Sequence, residues 1–212
     1  MNLPKSRLEA YLQNNVEYTD TSMISDIAGV CCPVMDVEED GIMKETARML
    51  CSNGGSVLNV GFGMGIIDSY IKSHNPSEHI MIEAHPMVVE HANSLGFEPI
   101  LGKWEDVIPK FIEEGKKFDS IYFDTFTFDY HTDPQWGPFT KLVPQLLNKS
   151  GIYSFFNDIA SKVEKVEEII EPWGWERNVK YVSYIEREQP ADSEVIIPVD
   201  RGDYELVWYV SN

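Results

Sequence analysis

From residue 54 onward, the sequence alternates regularly between short apolar runs and helical patterns. The pattern predicts strands at residues 56–62, 80–83, 98–101, 118–124, 151–156, 175–185 and 204–210. It predicts helices at residues 66–73, 87–95, 104–114, 140–147 and 161–170. Strands that alternate with such helices favour a parallel sheet covered by helices on both faces. Because no helix separates the last two strands, we expect them to form an antiparallel pair at one edge.

The first fifty residues carry no comparable strand pattern, so the sequence predicts a helical N-terminal extension over residues 1–50. The main domain then covers residues 51–212. A chain of 212 residues fits one domain with a short appendage, and its 43% of hydrophobic residues supply a sizeable core. We therefore expect an α/β protein built on one mostly parallel sheet.

The chain is strongly acidic, with 35 Asp and Glu residues against 17 Lys and Arg residues and a net charge of −18. This charge repels phosphate backbones, so nucleic acid is not an expected partner. It attracts cations, either small basic metabolites or protein segments rich in Arg and Lys, although a solvated acidic surface explains the same composition.

Other protein classes are disfavoured by what the sequence lacks. No apolar run approaches the ~18 residues that cross a bilayer, so no membrane partner is expected. The first residues show no signal-peptide pattern, which predicts an intracellular protein of the cytoplasm, with the nucleus as a further compartment. The three cysteines, of which Cys31 and Cys32 are adjacent, suit neither a disulfide framework nor a zinc site, so no metal is expected.

A glycine-rich turn follows the first predicted strand. It reads Gly61, Phe62, Gly63, Met64, Gly65, Ile66 and Ile67. Glycines at this point let the backbone turn tightly and approach a ligand at the helix N-terminus. The dinucleotide fingerprint needs a third small residue where Ile66 stands, so a nicotinamide oxidoreductase is disfavoured. Glu83 ends the next strand, 22 positions after Gly61, where a carboxylate can bind both hydroxyls of a ribose.

Carboxylates at two other places point to the chemistry of a guanidinium group. Asp124 ends the strand predicted at 118–124, which carries it to the same crevice as the glycine turn. An acidic cluster at residues 36–40 could supply a second carboxylate, although such a cluster is more often a solvated face. A guanidinium stays protonated, with a pKa above ~12. Paired carboxylates can clamp its planar fork, and one of them can take a proton.

Short motifs along the chain connect it to a known family. They are PVM-x7-M (residues 33–43), VLNVGFGM (57–64), IEAHP (82–86), GKWED (102–106), FDTF (123–126) and SFFN (154–157). In this order and at these intervals they resemble the guanidinoacetate methyltransferase family and its sister branch, the protein arginine δ-N-methyltransferases. Both branches methylate the internal, alkyl-bearing nitrogen of a guanidino group. The resemblance implies a Rossmann-like class I methyltransferase fold and S-adenosylmethionine as the cofactor.

The resemblance also implies roles for individual residues. It places Glu39 at the substrate-clamping glutamate, Asp124 at the catalytic aspartate and Glu83 at the ribose. It implies further cofactor contacts for Tyr11, Met35, Met43, Gly61, Phe62, Gly63, Met64, Gly65, Ile66, Ile67, Ala84, His85, Lys103, Trp104 and Asp124. It implies substrate contacts for Glu39, Asp124, Phe126 and Asn157.

A few positions depart from the family pattern. Asn59 replaces the acid that often precedes the glycine turn. Because Glu38 and Glu39 are adjacent, the assignment of the clamping residue depends on register. Phe126 replaces a tyrosine of the guanidinoacetate enzymes, and the motifs EAHP, DTF and SFFN favour the protein arginine branch.

The sequence therefore predicts a methyltransferase that acts on the internal nitrogen of a guanidino group, with arginine in protein favoured as the acceptor. Guanidinoacetate is the alternative acceptor, but its carboxylate needs a cation or backbone N–H donors, and the sequence shows no evident receptor. A non-catalytic, cofactor-binding regulator is a further alternative, which the presence of both Glu39 and Asp124 disfavours.

Overall fold

The computed structural model describes residues 7–27, 30–125, 135–157, 160–188 and 197–212. Its N-terminal part consists of α1 (Arg7–Gln13), β1 (Val16–Tyr18), β2 (Ser22–Ile27), β3 (Val30–Asp36) and α2 (Asp40–Leu50). The rest consists of β4 (Ser56–Val60), α3 (Ile66–Ser73), β5 (Glu78–Glu83), α4 (Pro86–Ser94), β6 (Ile100–Leu101), α5 (Trp104–Glu113), β7 (Phe118–Phe123), α6 (Trp136–Thr140), α7 (Val143–Leu146), β8 (Leu147–Phe155), α8 (Ala160–Ile170), β9 (Glu176–Glu188) and β10 (Ile197–Val210). Strands and helices alternate from β4 to α8, as the sequence predicts.

Seven strands form the central sheet in the order β6-β5-β4-β7-β8-β10-β9. The strands from β6 to β8 pair parallel, whereas β10 pairs antiparallel with both β8 and β9. The prediction of a mostly parallel sheet with an antiparallel edge is confirmed. The winding reverses between the neighbours β4 and β7, and such a switch point opens a crevice at the carboxyl ends of the strands. The protein has an α/β, Rossmann-like fold.

The N-terminal part contains a second sheet, so the expectation of a wholly helical extension is wrong. Strands β1, β2 and β3 pair antiparallel in that order. Strand β3 includes Pro33, which has no N–H group to donate, but it is an edge strand, where one missing donor is tolerated. The small sheet leads directly into a 3₁₀ turn at Val37–Glu39 and then into α2.

The single helix predicted at residues 140–147 is also wrong, because two short helices, α6 and α7, occupy this region. Pro144 lies in the first turn of α7 and has no N–H group with which to bind the Thr140 carbonyl in a continuous helix. The chain therefore ends α6 at Thr140, restarts at Val143 and enters β8 at Leu147.

Apolar side chains cover both faces of the central sheet, because successive residues of a strand point to opposite faces. Leu58 joins the hydrophobic cluster on one face, and Val57 joins the cluster on the other. The second cluster also contains Met23, Met35 and Met43. The N-terminal part thus shares a core with the sheet, and the domain division at residue 50 stays a prediction. None of the helices in the described ranges has both the length and the apolar character that a membrane span requires.

Two buried polar side chains, Asn59 and Asp68, tie β4 to α3 behind the glycine turn. Asn59 Nδ2 donates to the Gly61 carbonyl at 2.8 Å and to the two carboxylate oxygens of Asp68 at 3.0 and 2.9 Å. His79 Nε2 lies 2.8 Å from Asp68 Oδ1. Asn59 and Asp68 are fully buried, and burial raises the pKa of Asp68. Asp68 of helix α3 thus places a carboxyl group behind the turn, and Asn59 donates hydrogen bonds to it.

Replacing Asn59 by aspartate should destabilise the fold, because it removes these donated hydrogen bonds and places a second carboxylate against Asp68. We expect Asn59→Asp to lower the free energy of unfolding by about 2–4 kcal/mol, the range for unsatisfied buried polar and charged groups. Asn53→Asp, at an exposed turn position, is the control and should change the free energy of unfolding by less than about 0.5 kcal/mol. Urea denaturation measures both variants, and wild-type stability of Asn59→Asp would contradict this role of the network.

Candidate active site

A cavity lies at the carboxyl ends of β4, β5 and β7, and both parts of the chain contribute to its lining. Twelve of the residues singled out from the sequence line it: Tyr11, Met35, Glu39, Gly61, Phe62, Gly63, Ile67, Glu83, Ala84, Lys103, Trp104 and Asp124. The first three come from the N-terminal part, and the others lie at the ends of strands of the central sheet or in the turns and helices that follow them. The small sheet and the large sheet therefore build one site together.

Gly61 brings three strand ends together. Its N–H donates to the Ile82 carbonyl at 2.9 Å, and the Asp124 N–H donates to the Val60 carbonyl at 2.9 Å. The Gly61 φ angle is +98°, and a Cβ there would lie 1.8 Å from the backbone carbonyl oxygen of Asp124. A side chain is therefore excluded both by the left-handed backbone and by contact with Asp124. The glycine turn and Asp124 lie side by side for this reason.

The N-terminal part packs directly on the glycine turn. The Met64 N–H donates to Met35 Sδ at 3.2 Å, and Tyr18 Oη donates to the Gly63 carbonyl at 3.3 Å. A Cβ at Gly63 would lie 2.5 Å from Met35 Sδ, so this approach also needs a glycine. The ring of Tyr18 stacks on His91 of α4, with the ring centroids 3.8 Å apart. These contacts hold the N-terminal part against one side of the cavity.

Glu83 presents an oriented carboxylate to the cavity. Its Oε2 accepts the Phe62 N–H at 2.9 Å, and its Oε1 accepts the His85 N–H at 2.7 Å. The residue is 7% exposed. Burial raises the pKa of Glu83, while the two backbone hydrogen bonds oppose this shift. Each oxygen has a further lone pair, so the carboxylate suits a ligand that offers two neighbouring hydroxyls.

Trp104 and Gln135 form a pair at the edge of the cavity. Trp104 Nε1 donates to Gln135 Oε1 at 3.3 Å, which fixes the orientation of the amide. Gln135 is 7% exposed, and its Nε2 has no hydrogen-bond partner among the described residues. Because a buried amide donor is costly to leave unsatisfied, this group suits an acceptor atom on a bound ligand. Sequence analysis did not identify Gln135.

Glu39 and Asp124 line the same cavity although 85 positions separate them in the chain. Asp124 follows β7 directly. Glu39 ends the 3₁₀ turn, which Asp36 caps by accepting the Glu38 N–H on Oδ1 at 3.0 Å. Glu38 itself is not among the lining residues. Two carboxylates in one partly enclosed space favour the binding of a cation there.

Two residues with implied cofactor contacts lie behind the cavity surface. Met43 is fully buried in the core, and Tyr122 Oη lies 3.9 Å from its sulfur. His85 is 1% exposed, and its Nε2 lies 3.1 Å from the Tyr11 carbonyl and 3.0 Å from the Asn14 carbonyl. His85 therefore anchors the N-terminal part to the end of β5 and does not line the cavity.

Other implied contacts are also absent from the lining. Met64, Gly65 and Ile66 belong to the turn and to the start of α3, and they do not line the cavity. Asn157 is bound to β10, because its N–H donates to Tyr204 Oη at 2.8 Å and its Nδ2 donates to the Glu205 carbonyl at 2.6 Å. Phe126 lies outside the described residues.

The cavity has lining residues that sequence analysis missed. Among them are Met23, Val34, Glu105, Thr125, Gln135, Phe156 and Lys162. Lys162 is 4% exposed, which is rare for lysine. It lies four positions before the buried Val166 on α8, so the two share a helix face. A lysine at the apolar spacing of a helix is the sequence signal that could have identified it.

Comparison with known proteins identifies the relatives of this chain. Residues 6–170 match the family model described as guanidinoacetate N-methyltransferase. The chain is 34% identical over 172 residues to protein arginine N-methyltransferase 2 of Gibberella zeae, and 39% identical over 166 residues to the protein of that name from Candida glabrata. Each alignment covers 72% of this chain but only 38% and 39% of the respective relative. The chain thus spans less than two fifths of the length of these relatives.

A solved structure shares the fold at low sequence identity. Precorrin-6y C5,15-methyltransferase from Geobacter metallireducens has a TM-score of 0.59 and 9% identity, with 80% of this chain and 87% of that chain covered. This likeness concerns the fold alone, whereas the family model covers most of the sequence. The chain therefore belongs to the guanidinoacetate N-methyltransferase family.

Proposed function

We propose that the protein is an S-adenosylmethionine-dependent methyltransferase that acts on the internal nitrogen of a guanidino group. The observation that carries this proposal is the cavity in which Glu39 and Asp124 lie together beside the glycine turn. Family membership supports the class of reaction, and the paired carboxylates support a cationic, planar acceptor.

Three features of the cavity fit S-adenosylmethionine. The Glu83 carboxylate is oriented for the ribose hydroxyls, and Gly61 and Gly63 leave backbone exposed where a ligand can approach closely. Trp104 offers an aromatic surface for adenine, with the Gln135 Nε2 donor beside it. When bound, the cofactor supplies an electrophilic methyl group on its sulfonium.

Glu39 and Asp124 would have different roles in binding and activating the acceptor. Glu39 holds the guanidinium through charge-assisted hydrogen bonds, and Asp124 orients the internal nitrogen. As that nitrogen forms its bond to the methyl carbon it loses a proton, which the Asp124 carboxylate accepts. Both carboxylates also stabilise the positive charge that is present in the transition state.

Two classes of acceptor remain within this function. Arginine in protein is the acceptor that the sequence favours, and the relatives named protein arginine N-methyltransferase 2 support it. Guanidinoacetate is the second candidate, and Lys162 favours it, because a buried amine in the cavity is the kind of carboxylate receptor that the sequence did not reveal.

The function can be tested with S-adenosylmethionine that carries an isotopically labelled methyl group. Guanidinoacetate and an arginine-containing peptide are offered side by side, and tandem mass spectrometry locates the label on the product. We expect label on the internal, alkyl-bearing nitrogen of at least one acceptor. Label only on a terminal guanidino nitrogen, or on neither acceptor, would contradict the proposal.

Asp124→Asn should lower kcat by about 100-fold or more, as expected for the loss of a general base. The amide is nearly isosteric with the carboxylate, so the affinity for S-adenosylhomocysteine should stay close to that of the wild type. Asp203→Asn, at an exposed position of β10, is the matched control and should retain normal turnover. Steady-state kinetics and calorimetry measure the two quantities. Near-normal turnover of Asp124→Asn would mean that another group accepts the proton.

Glu39→Gln should weaken acceptor binding and lower kcat/KM by at least about tenfold, because it removes one charge of the pair that holds the guanidinium. Its neighbour provides the control, since Glu38→Gln changes the same charge outside the cavity lining and should leave kcat/KM within about twofold of the wild type. If only Glu38→Gln is impaired, the assignment of Glu39 as the residue that holds the guanidinium is wrong.

The affinity for S-adenosylhomocysteine should fall as the pH is lowered from 7 towards 5. Burial raises the pKa of Glu83, so its carboxylate takes up a proton at pH values above the ordinary range near ~4.3 and then accepts fewer hydrogen bonds. Glu83→Gln should bind more weakly by about 1.5–3 kcal/mol at pH 7 and lose this pH dependence. Glu90→Gln, exposed on α4, is the control. If calorimetry shows the same pH dependence of the affinity for the wild type, Glu83→Gln and Glu90→Gln, Glu83 does not bind the ribose.

A further inference from the structure

Gln135 holds an unpaired amide donor in the wall of the cavity. The residue is 7% exposed, and its Nε2 has no hydrogen-bond partner among the described residues. Trp104 Nε1 donates to Gln135 Oε1 at 3.3 Å. Because an indole N–H can only donate, this bond assigns the amide oxygen to the side of Trp104 and leaves the NH₂ group for another partner. A buried donor without an acceptor is costly, so a bound ligand is the expected source of one.

Aromatic packing holds this pair of side chains in place. The ring of Trp104 meets Phe123 and Phe139 edge-on, with centroids 6.2 and 5.5 Å apart and interplanar angles of 81° and 89°. Phe139 belongs to α6, which begins directly after Gln135, and its ring stacks on Phe123 with the centroids 4.3 Å apart. The amide cannot exchange its oxygen and nitrogen without losing the bond from Trp104. Gln135 therefore presents a preorganised donor.

A group that can only donate restricts which ligand atoms it binds. A guanidinium carries donors alone, so the methyl acceptor offers no partner to Gln135 Nε2. The 6-amino group of adenine is excluded for the same reason. The acceptor atoms that S-adenosylmethionine presents are the adenine ring nitrogens, the ribose oxygens and the carboxylate.

The strand order favours the base among these acceptor atoms. In the proposed function the ribose lies at Glu83, which ends β5, and the sulfonium lies towards Asp124, which follows β7. The order β6-β5-β4-β7 then leaves the adenine on the side of β6. Trp104 begins α5, the helix that follows β6, and binds Gln135 through the indole N–H.

We propose that Gln135 is a specificity-determining residue for the cofactor, whose Nε2 donates a hydrogen bond to a ring nitrogen of the adenine. The contact then recognises the ring and not the 6-amino group. The proposal rests on the proposed use of S-adenosylmethionine and adds a residue that recognises its base.

Calorimetry with S-adenosylhomocysteine and its 1-deaza, 3-deaza and 7-deaza analogues tests the proposal. Each analogue replaces one ring nitrogen by C–H. The wild type should bind at least one of them about three- to tenfold more weakly than S-adenosylhomocysteine, the effect of one neutral hydrogen bond. Gln135→Met removes the donor at a similar side-chain length. It should bind S-adenosylhomocysteine more weakly by the same factor and show no further loss with that analogue.

Two other ligands locate the contact on the cofactor. An analogue with hydrogen in place of the 6-amino group keeps the ring nitrogens, and this change should alter the affinity of the wild type and of Gln135→Met by the same factor. 5′-Methylthioadenosine keeps the base but lacks the amino-acid part. Gln135→Met should bind it more weakly than the wild type, by the factor measured with S-adenosylhomocysteine.

Two further variants complete the comparison. Gln135→Glu retains an oxygen for Trp104 Nε1 and replaces the NH₂ group by a second oxygen. It should bind S-adenosylhomocysteine at least as weakly as Gln135→Met does and should also lose the discrimination against the deaza analogue. Gln145→Met, exposed on α7, is the matched control and should keep the wild-type affinities.

The outcomes that overturn the proposal are distinct from failure of the proposed function. Equal wild-type affinity for S-adenosylhomocysteine and all its deaza analogues would overturn it. A deaza penalty that is the same in the wild type and in the Gln135 variants would assign the contact to another residue. A loss with S-adenosylhomocysteine but none with 5′-methylthioadenosine would place the amide at the cofactor carboxylate and also overturn it. If the wild type does not bind S-adenosylhomocysteine at all, the proposed function fails first. If Gln135→Met does not fold, Gln135→Glu gives the same comparison.

Discussion

Three strand ends can meet at the site because Gly61 has no side chain. Its backbone is left-handed, a Cβ on it would collide with the Asp124 carbonyl, and its N–H binds the Ile82 carbonyl next to Glu83. One residue thereby fixes the relative positions of three strand ends. Those ends carry the carboxylate suited to a ribose and the carboxylate suited to a guanidinium. A Cβ at this position would push Asp124 away from the turn, so the geometry of the proposed cofactor and acceptor sites would be lost together.

The N-terminal part supplies residues that complete the cavity at the ends of the central strands. The small sheet β1–β3 presents Met35 to the glycine turn and ends in the capped turn that carries Glu39. Tyr18 and His85 hold this part in place through contacts with the turn and with the end of β5. The second carboxylate of the site is therefore supplied by a segment whose position depends on packing against the first. A ligand that contacts both parts is therefore expected to stabilise the docked arrangement.

The central sheet could be predicted because each strand and helix carries a local pattern, and Glu83 and Asp124 stand at predicted strand ends. The small sheet could not, because its strands are short and β3 includes Pro33, a residue that argues against a strand unless its place at an edge is known. Asn157 lies in a motif of the family, but the tertiary contacts that bind it to β10 are invisible in the sequence. Lys162 was missed for the same reason, since burial of a lysine on a charged helix depends on what packs against it.

We propose that Glu39 and Asp124 form one guanidinium site although they belong to different parts of the chain. A crystal structure of the protein with S-adenosylhomocysteine and guanidinoacetate would show whether they do. We expect guanidinium nitrogens within hydrogen-bond distance, about 2.7–3.2 Å, of both carboxylates, with the internal nitrogen facing the cofactor sulfur. A guanidinium that contacts only one of the two carboxylates, or that binds outside this cavity, would contradict it.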